Sequence, residues 1–225
     1  MDRRGLQAVV AALARLSDGS GQDFSPSSTL LELAEDTGKS SVIRSLALHS
    51  VKVDHPGLKV GKLVALAQAD DLALQREAIR ALALHPDADR ESALATVAAD
   101  ASIRAGLRAD AIAGLAPFAT GQSDLLKKLS KDKNKVVSSE AIRTLASAGL
   151  MQRELKSKPA PGDIGAWKEF VENAPGKANA STGRRLFFHP RMGTCYNCHS
   201  MNGRGTEVGP DLSTIRDQGG IDESW

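Results

Sequence analysis

The chain has 225 residues, of which 41% are hydrophobic and 25% are charged, as in ordinary globular proteins. Its 29 Lys and Arg residues nearly balance its 27 Asp and Glu residues, so no net field attracts nucleic acid or an anionic membrane. No window approaches the roughly 18 consecutive apolar residues of a transmembrane helix. Aromatic residues make up only 4%, which favours closely stacked helices with cores of Ala and Leu. These properties predict an all-α chain without a nucleic-acid partner or a transmembrane segment.

A short pattern recurs through residues 1–150. It consists of Ala or Val, then Ile or Val, two variable residues and Leu. Its second positions are 33, 36, 33 and 30 residues apart, a spacing typical of helical repeat proteins. The five copies are Val9–Leu13, Val42–Leu46, Ala78–Leu82, Ala111–Leu115 and Ala141–Leu145.

A second set of apolar segments lies between these copies, with i, i+3 and i+4 spacing that predicts helices. The segments are 30–34, 63–67, 93–98 and 125–129. Turn-forming residues separate the predicted helices at Ser25-Pro26, His55-Pro56-Gly57, His85-Pro86-Asp87 and Asp132-Lys133-Asn134. Each repeat is therefore expected to be a helix pair.

The paired pattern resembles HEAT-type repeats, including an Arg after the central Ile in three of the five copies. This resemblance implies a helical solenoid over residues 1–150, with a surface for protein contacts. The alternative is an irregular helical bundle.

Residues 151–176 differ in character and predict a linker with one short helix. Pro159 and Pro161 interrupt residues 151–162, which lack a periodic apolar pattern. Asp163 is a candidate N-cap, and Ala174-Pro175-Gly176 is expected to end the helix. One face of this helix, with Trp167, Phe170 and Val171, is expected to dock on the segment that follows.

The only two cysteines are three positions apart and directly precede a histidine, in Cys195-Tyr196-Asn197-Cys198-His199. In a c-type haem site two thiols form thioethers with the porphyrin vinyl groups, and the next imidazole ligates the iron. Two intervening residues allow one helical turn to present both sulfurs to the same ring edge. The sequence therefore predicts one covalent haem c, bound by Cys195 and Cys198, with His199 as the iron ligand.

The cysteine pair has three other interpretations. A thioredoxin-like redox pair needs a neighbouring βαβ pattern, which the sequence lacks. Structural zinc usually takes four Cys or His ligands, and His189 and His199 flank the cysteines awkwardly for that purpose. The third interpretation is a chance occurrence of two structural cysteines, which would explain neither their spacing nor the histidine that follows them. Haem attachment is the interpretation that uses every residue of the motif.

The surrounding residues resemble class I cytochrome c domains. Gly183–Phe188 is similar to the first helix of that family, and Gly209-Pro210-Asp211-Leu212 is similar to its Gly-Pro-x-Leu element. The resemblance implies that the Pro210 carbonyl accepts a hydrogen bond from the His199 ring and that Leu212 lines the haem face. Residues 177–225 are thus predicted to be the N-terminal part of a cytochrome c-like α domain.

The order of repeats and haem motif resembles the C-terminal part of large proteins with a dehydrogenase-like β-propeller, HEAT repeats and a cytochrome domain. This layout implies an electron-transfer module, itself more a carrier than an enzyme. Its expected partner is a redox protein or a dehydrogenase domain outside this chain. Because c-type haem is generally attached outside the bacterial cytoplasm, we expect a periplasmic location, although residues 1–25 contain no recognisable signal peptide.

The family pattern is incomplete at the sixth coordination position of the iron. Class I domains usually supply a methionine some tens of residues after the histidine. Met201 is too near His199 to reach the opposite face at roughly 3.3 Å per residue, and Met192 precedes the turn on the same side. We therefore assign no distal ligand. Residues 221–225 resemble the start of a further helix, so we expect the chain to be a fragment.

The haem motif has further consequences for neighbouring charges and for function. Four arginines could neutralise haem propionates, but we expect them to be solvated surface charges, their commoner role. They are Arg184, Arg185, Arg191 and Arg204. Two alternative functions are a HEAT-like interaction scaffold with a non-functional haem region and a catalytic haem with an open coordination position.

Overall fold

The computed structural model describes residues 5–6, 8–9, 26–152, 158–173, 179–206 and 208–218. Helices dominate this part of the chain, which confirms the predicted all-α class. Besides helical residues at 5–6 and 8–9, the described part contains ten α-helices. They are α1 (Pro26–Glu35), α2 (Ser41–Ser50), α3 (Val60–Ala67), α4 (Leu72–Leu84), α5 (Arg90–Ala99), α6 (Ala105–Gly114), α7 (Ser123–Leu129), α8 (Lys135–Ser147), α9 (Ile164–Glu172) and α10 (Ala180–Phe187).

The remaining regular structure of the described residues is short. Three 3₁₀ segments cover Ala116–Phe118, Cys195–Asn197 and Leu212–Gln218. Strands β1 (Ser200–Met201) and β2 (Arg204–Gly205) form one antiparallel hairpin. Residues 179–206 and 208–218 form the terminal module, which contains α10, the hairpin and the last two 3₁₀ segments.

Local hydrogen bonds explain where several helices begin. The Asp71 side chain accepts a hydrogen bond from the backbone N–H of Leu74 at 2.9 Å, which caps α4. Asn134 caps α8 in the same way, at 3.0 Å from the Val136 nitrogen. The three predicted His-Pro and Asp-Lys-Asn breakers all lie between helices. The predicted Ser25 cap and most of the first repeat copy lie outside the described residues.

The first eight helices, α1–α8, form a helical array of two layers. Within each successive pair, α1 packs on α2, α3 on α4, α5 on α6 and α7 on α8. The second members, α2, α4, α6 and α8, also pack on one another in chain order. Helices α3, α5 and α7 do the same in the other layer. The described copies of the repeated sequence pattern all belong to the layer of second members.

The apolar stripes of these helices form one continuous core. Leu82 and Leu94 are fully buried, as are Leu107, Ile112 and Leu145 farther along the array. Full burial of a leucine or isoleucine side chain stabilises the fold by about 1.5–3 kcal/mol relative to exposure. The periodic leucines that predicted the helices are therefore the same residues that hold the two layers together.

Helix α9 stands apart from this core. Asp163 caps it as predicted, accepting a hydrogen bond from the Ala166 nitrogen at 2.9 Å. Trp167 and Phe170 pack edge to face with ring centroids 5.7 Å apart, but no residue of α9 is buried. The prediction that this face docks on the segment that follows is wrong for the described residues. Val171 is exposed, and α9 packs extensively on no other described element. The predicted stop at 174–176 lies outside the described residues.

None of the described helices is both long enough and apolar enough to span a membrane.

Candidate functional site

The residues from Cys195 to His199 form a single tight turn in the terminal module. The backbone carbonyl of Cys195 accepts hydrogen bonds from the nitrogens of Cys198 at 3.1 Å and His199 at 2.9 Å. Both cysteines are exposed free thiols. Gly193 and Thr194, directly before the turn, have left-handed backbone conformations with φ of 70° and 47°. The turn therefore presents two free thiols and one imidazole within five residues of the module.

The chain after the turn folds back and fixes its backbone. The Thr206 nitrogen donates to the Tyr196 carbonyl at 3.0 Å, and the Thr206 hydroxyl donates to the Asn197 carbonyl at 2.7 Å. The Gly209 nitrogen donates to the Cys198 carbonyl at 2.6 Å. These bonds attach the return segment to three successive carbonyl groups of the turn.

His199 is oriented by the Gly-Pro segment. Its Nδ1 atom lies 2.9 Å from the Pro210 carbonyl oxygen. A carbonyl can only accept, so Nδ1–H donates and Nε2 of the neutral ring is left as the unprotonated nitrogen. This is the contact that the family resemblance implied for Pro210, and the tautomer follows from it.

Two glycines are required by close approaches around this histidine. A Cβ atom on Gly209 would lie 2.7 Å from His199 Cε1 and 2.8 Å from Nδ1, so any side chain there would displace the ring. A Cβ on Gly205 would lie 2.1 Å from the His199 carbonyl oxygen, and its φ of 96° also favours glycine. The imidazole and its backbone are thus enclosed by positions that tolerate no side chain.

Several apolar side chains of the terminal module are only partly buried. Phe188 lies between Phe187 and Tyr196, with ring centroids at 4.8 Å and 6.2 Å. Leu186 and Leu212, the latter predicted to line a haem face, are also half-buried. Half-exposed apolar groups beside two free thiols are the kind of surface on which a porphyrin face packs. The residues present therefore fit a haem at Cys195 and Cys198.

The terminal module is attached to the helical array by buried ion pairs. Arg185 Nε donates to Glu140 Oε2 at 2.9 Å, and both side chains are at most 5% exposed. Arg184 donates to Asp110 Oδ2 at 2.8 Å, and Arg185 reaches the other oxygen of the same carboxylate at 3.3 Å. Arg143 also contacts Glu140. Burial lowers the pKa of the Arg184 guanidinium, while Asp110 opposes this effect.

A second attachment runs through the hairpin. Arg204 donates to His49 Nδ1 through Nε at 2.9 Å and contacts the carboxylate of Glu77. Glu77 lies on α4, where it also accepts a hydrogen bond from Arg80 at 3.0 Å.

The expectation for three of the four terminal arginines is therefore wrong. Arg184, Arg185 and Arg204 are not solvated surface charges, because each is paired with residues of the helical array. Arg191 is exposed, as expected. No local sequence signal could have revealed these pairs, since the partners lie far away along the chain.

His189, a ligand in the zinc interpretation, is fully buried. Its Nδ1 accepts a hydrogen bond from the Arg191 nitrogen at 3.1 Å, while Nε2 is buried without a partner among the described residues. Desolvation, followed by the nearby charges of Arg143 and Arg191, lowers its pKa from the usual 6.5 to about 4. His189 is therefore neutral at pH 7.

A metal site built from protein side chains alone has no counterpart in the described ranges. Nowhere in them do three or more His, Cys, Asp or Glu side chains converge as a metal ion would require. The described residues therefore offer no second pair of ligands that would complete a structural zinc site with Cys195 and Cys198.

Comparison of the sequence with models of protein families and with curated proteins, and of the structure with solved structures, finds no match.

Proposed function

We propose that this chain is a c-type haem-binding electron-transfer module. The observation that carries the proposal is the 2.9 Å contact between His199 Nδ1 and the Pro210 carbonyl, next to two exposed thiols. It leaves Nε2 unprotonated, which is the form of imidazole that ligates a metal, and it fixes the ring orientation. When bound, a c-type haem supplies an iron that gains and loses one electron.

The residues of the chain have separate tasks in this proposal. Cys195 and Cys198 hold the porphyrin through their sulfur atoms, and His199 is the iron ligand. Pro210 orients His199 through its carbonyl and raises the basicity of the imidazole. Leu212 lines the haem face and limits the access of water. The partner that delivers or accepts electrons is a redox protein or a dehydrogenase domain, and the location is periplasmic.

We further propose that the helical array is a HEAT-type solenoid that carries a partial cytochrome c-like domain. The pairwise packing of α1–α8 and the ordered stacking of second members support it, because repeat proteins bury their core between neighbouring units. The array then serves as the surface that positions the haem relative to its partner.

The test is to express the full chain with a haem-attachment system and measure its intact mass and its reduced-minus-oxidised visible spectrum. We expect one added haem and a c-type spectrum, both lost in the double variant Cys195→Ala, Cys198→Ala. A folded helical chain that gains no covalent haem would contradict the proposal and leave an interaction scaffold as the better account.

A further inference from the structure

A cleft of about 300 Å³ lies between the helical array and the terminal module. Helices α4 and α6 form one wall, while the end of α10, Tyr196 and the hairpin form the other. Its size is at the lower end of the range of small-molecule sites. Guanidinium groups line much of it, from Arg76, Arg80, Arg184, Arg185 and Arg204.

The ion pairs around this cleft do not balance. With Arg143, which pairs with Glu140, the network contains six arginines. Among the described residues their acidic partners are three carboxylates, those of Glu77, Asp110 and Glu140. Six positive and three negative charges leave a surplus of three positive charges in a partly buried space, where charge is poorly screened.

Two guanidinium nitrogens of the cleft have no partner. Arg80 bonds Glu77 through Nε, but its buried Nη2 has no hydrogen-bond partner among the described residues. The buried Nε of Arg76 also has no hydrogen-bond partner among the described residues, since the nearest carboxylate oxygen, Asp110 Oδ2, is 3.8 Å away. Burying a charged donor without an acceptor is costly, so an oxyanion in the cleft that places negative charge beside these two guanidinium groups is favoured.

The rest of the cleft is apolar. Ile79, Ala83 and Ala113 contribute from the helical array, and Phe188 and Pro190 contribute from the terminal module. An apolar wall beside unpartnered guanidinium donors suits a ligand with an anionic head and a short apolar body.

We propose that this cleft binds the carboxylate or phosphate group of a small organic anion. The head lies against Arg76 and Arg80, and the apolar part lies against Ile79 and Phe188. The anion has two chemical sources, a free organic acid or the propionate groups of a haem held at Cys195 and Cys198. The inference about the free acid does not depend on haem attachment.

The experiment is calorimetric titration of the full chain, produced without haem attachment, with benzoate. Benzamide has nearly the same shape without the charge and is the matched probe. We expect benzoate to bind at least about tenfold more tightly, since charge-assisted hydrogen bonds to guanidinium contribute more than 1.4 kcal/mol. Equal affinity for the two probes, or no binding of benzoate, would overturn the proposal.

Variants locate the site. Arg80→Gln and, separately, Arg76→Gln should each weaken benzoate binding about tenfold. Arg44→Gln is the matched control, because Arg44 occupies the same repeat position as Arg80 but donates to the Ala34 carbonyl outside the cleft. Arg76 is 37% exposed and lies 3.8 Å from the Asp110 carboxylate, so Arg76→Gln should fold and tests the site even if Arg80→Gln does not fold. Unchanged binding in Arg76→Gln would contradict the assignment.

The same titration on the haem-loaded chain distinguishes the sources. Benzoate binding retained after haem attachment identifies a site for a free organic acid. Binding lost on haem attachment, with binding present before it, identifies the propionates as the anion that occupies the cleft.

Discussion

The helical array and the terminal module bury different kinds of residue. In the array, from 26 to 150, the buried side chains are mostly Leu, Ala, Ile and Val. In the described part of the terminal module the buried residues are Arg185, His189 and Ser200, all of them polar, while the apolar side chains are half-buried or exposed. The array therefore has its own hydrophobic core, whereas the module is held by ion pairs to the array and by the tight turns around its histidine.

The largest expected difference between the two regions is in the effect of core truncation. Leu82→Ala in α4 removes a side chain that is fully buried and should lower the free energy of unfolding by about 3–5 kcal/mol. Leu186→Ala in α10 removes a half-buried side chain and should cost about 1 kcal/mol. Urea unfolding followed by circular dichroism measures both values. Equal losses would show that the module has a core comparable to that of the array.

The buried ion pairs should contribute nearly as much to the attachment of the module. Glu140→Gln leaves the guanidinium groups of Arg185 and Arg143 without their shared carboxylate, so unfolding should become about 3 kcal/mol easier. The matched control is Glu35→Gln, which breaks a surface pair with Lys62 and should cost less than about 1 kcal/mol. A loss for Glu140→Gln no larger than that of the control would contradict the role given to the buried pairs.

The neutral buried His189 predicts a loss of stability in acid. The unfolded chain gains a proton near pH 6.5, whereas the folded chain resists it down to about pH 4. The contribution is therefore complete well above pH 6.5 and decreases on acidification, by about 1.5 kcal/mol between pH 6.5 and 5. Urea unfolding at these two pH values should show a smaller decrease in His189→Gln, which retains the other histidines. Identical decreases in the two chains would show that His189 does not cause the effect.

The smallest effect on stability, but a specific one on the site, is expected from Gly209→Ala. The new methyl group would lie 2.7 Å from His199 Cε1, which is too close for two carbon atoms, so the His199 ring would be displaced. We expect a reduced yield of haem-loaded chain with an altered visible spectrum, while unfolding changes by less than about 1.5 kcal/mol. Gly162→Ala is the control, since a Cβ there meets nothing within 4 Å. A normal spectrum in Gly209→Ala would contradict the positioning of His199 by this segment.

Much of the array could be predicted from the sequence because its information is local. The spacing of Ile79 and Leu82 within one turn predicts a helix face, and a proline after His85 predicts where that helix ends. The Cys-x-x-Cys-His spacing likewise places three functional groups on one turn without knowledge of the fold.

The attachment of the module could not be predicted in this way. Arg184, Arg185 and Arg204 find their partners 74, 45 and 155 residues away along the chain. An arginine in a polar segment is usually solvated, and only the contacts of the module with α2, α4, α6 and α8 make these three exceptions. The cleft beside them has the same origin, because its walls come from segments that no local pattern relates.

The most direct test of the central claim is to locate the haem on the chain. The full chain matured with a haem-attachment system is cleaved with trypsin, and the peptide from Met192 to Arg204 is analysed by mass spectrometry. The account predicts one added haem on this peptide, with fragment ions that place it on Cys195 and Cys198. Recovery of the peptide with both thiols unmodified, from a chain that is folded and helical, would contradict it.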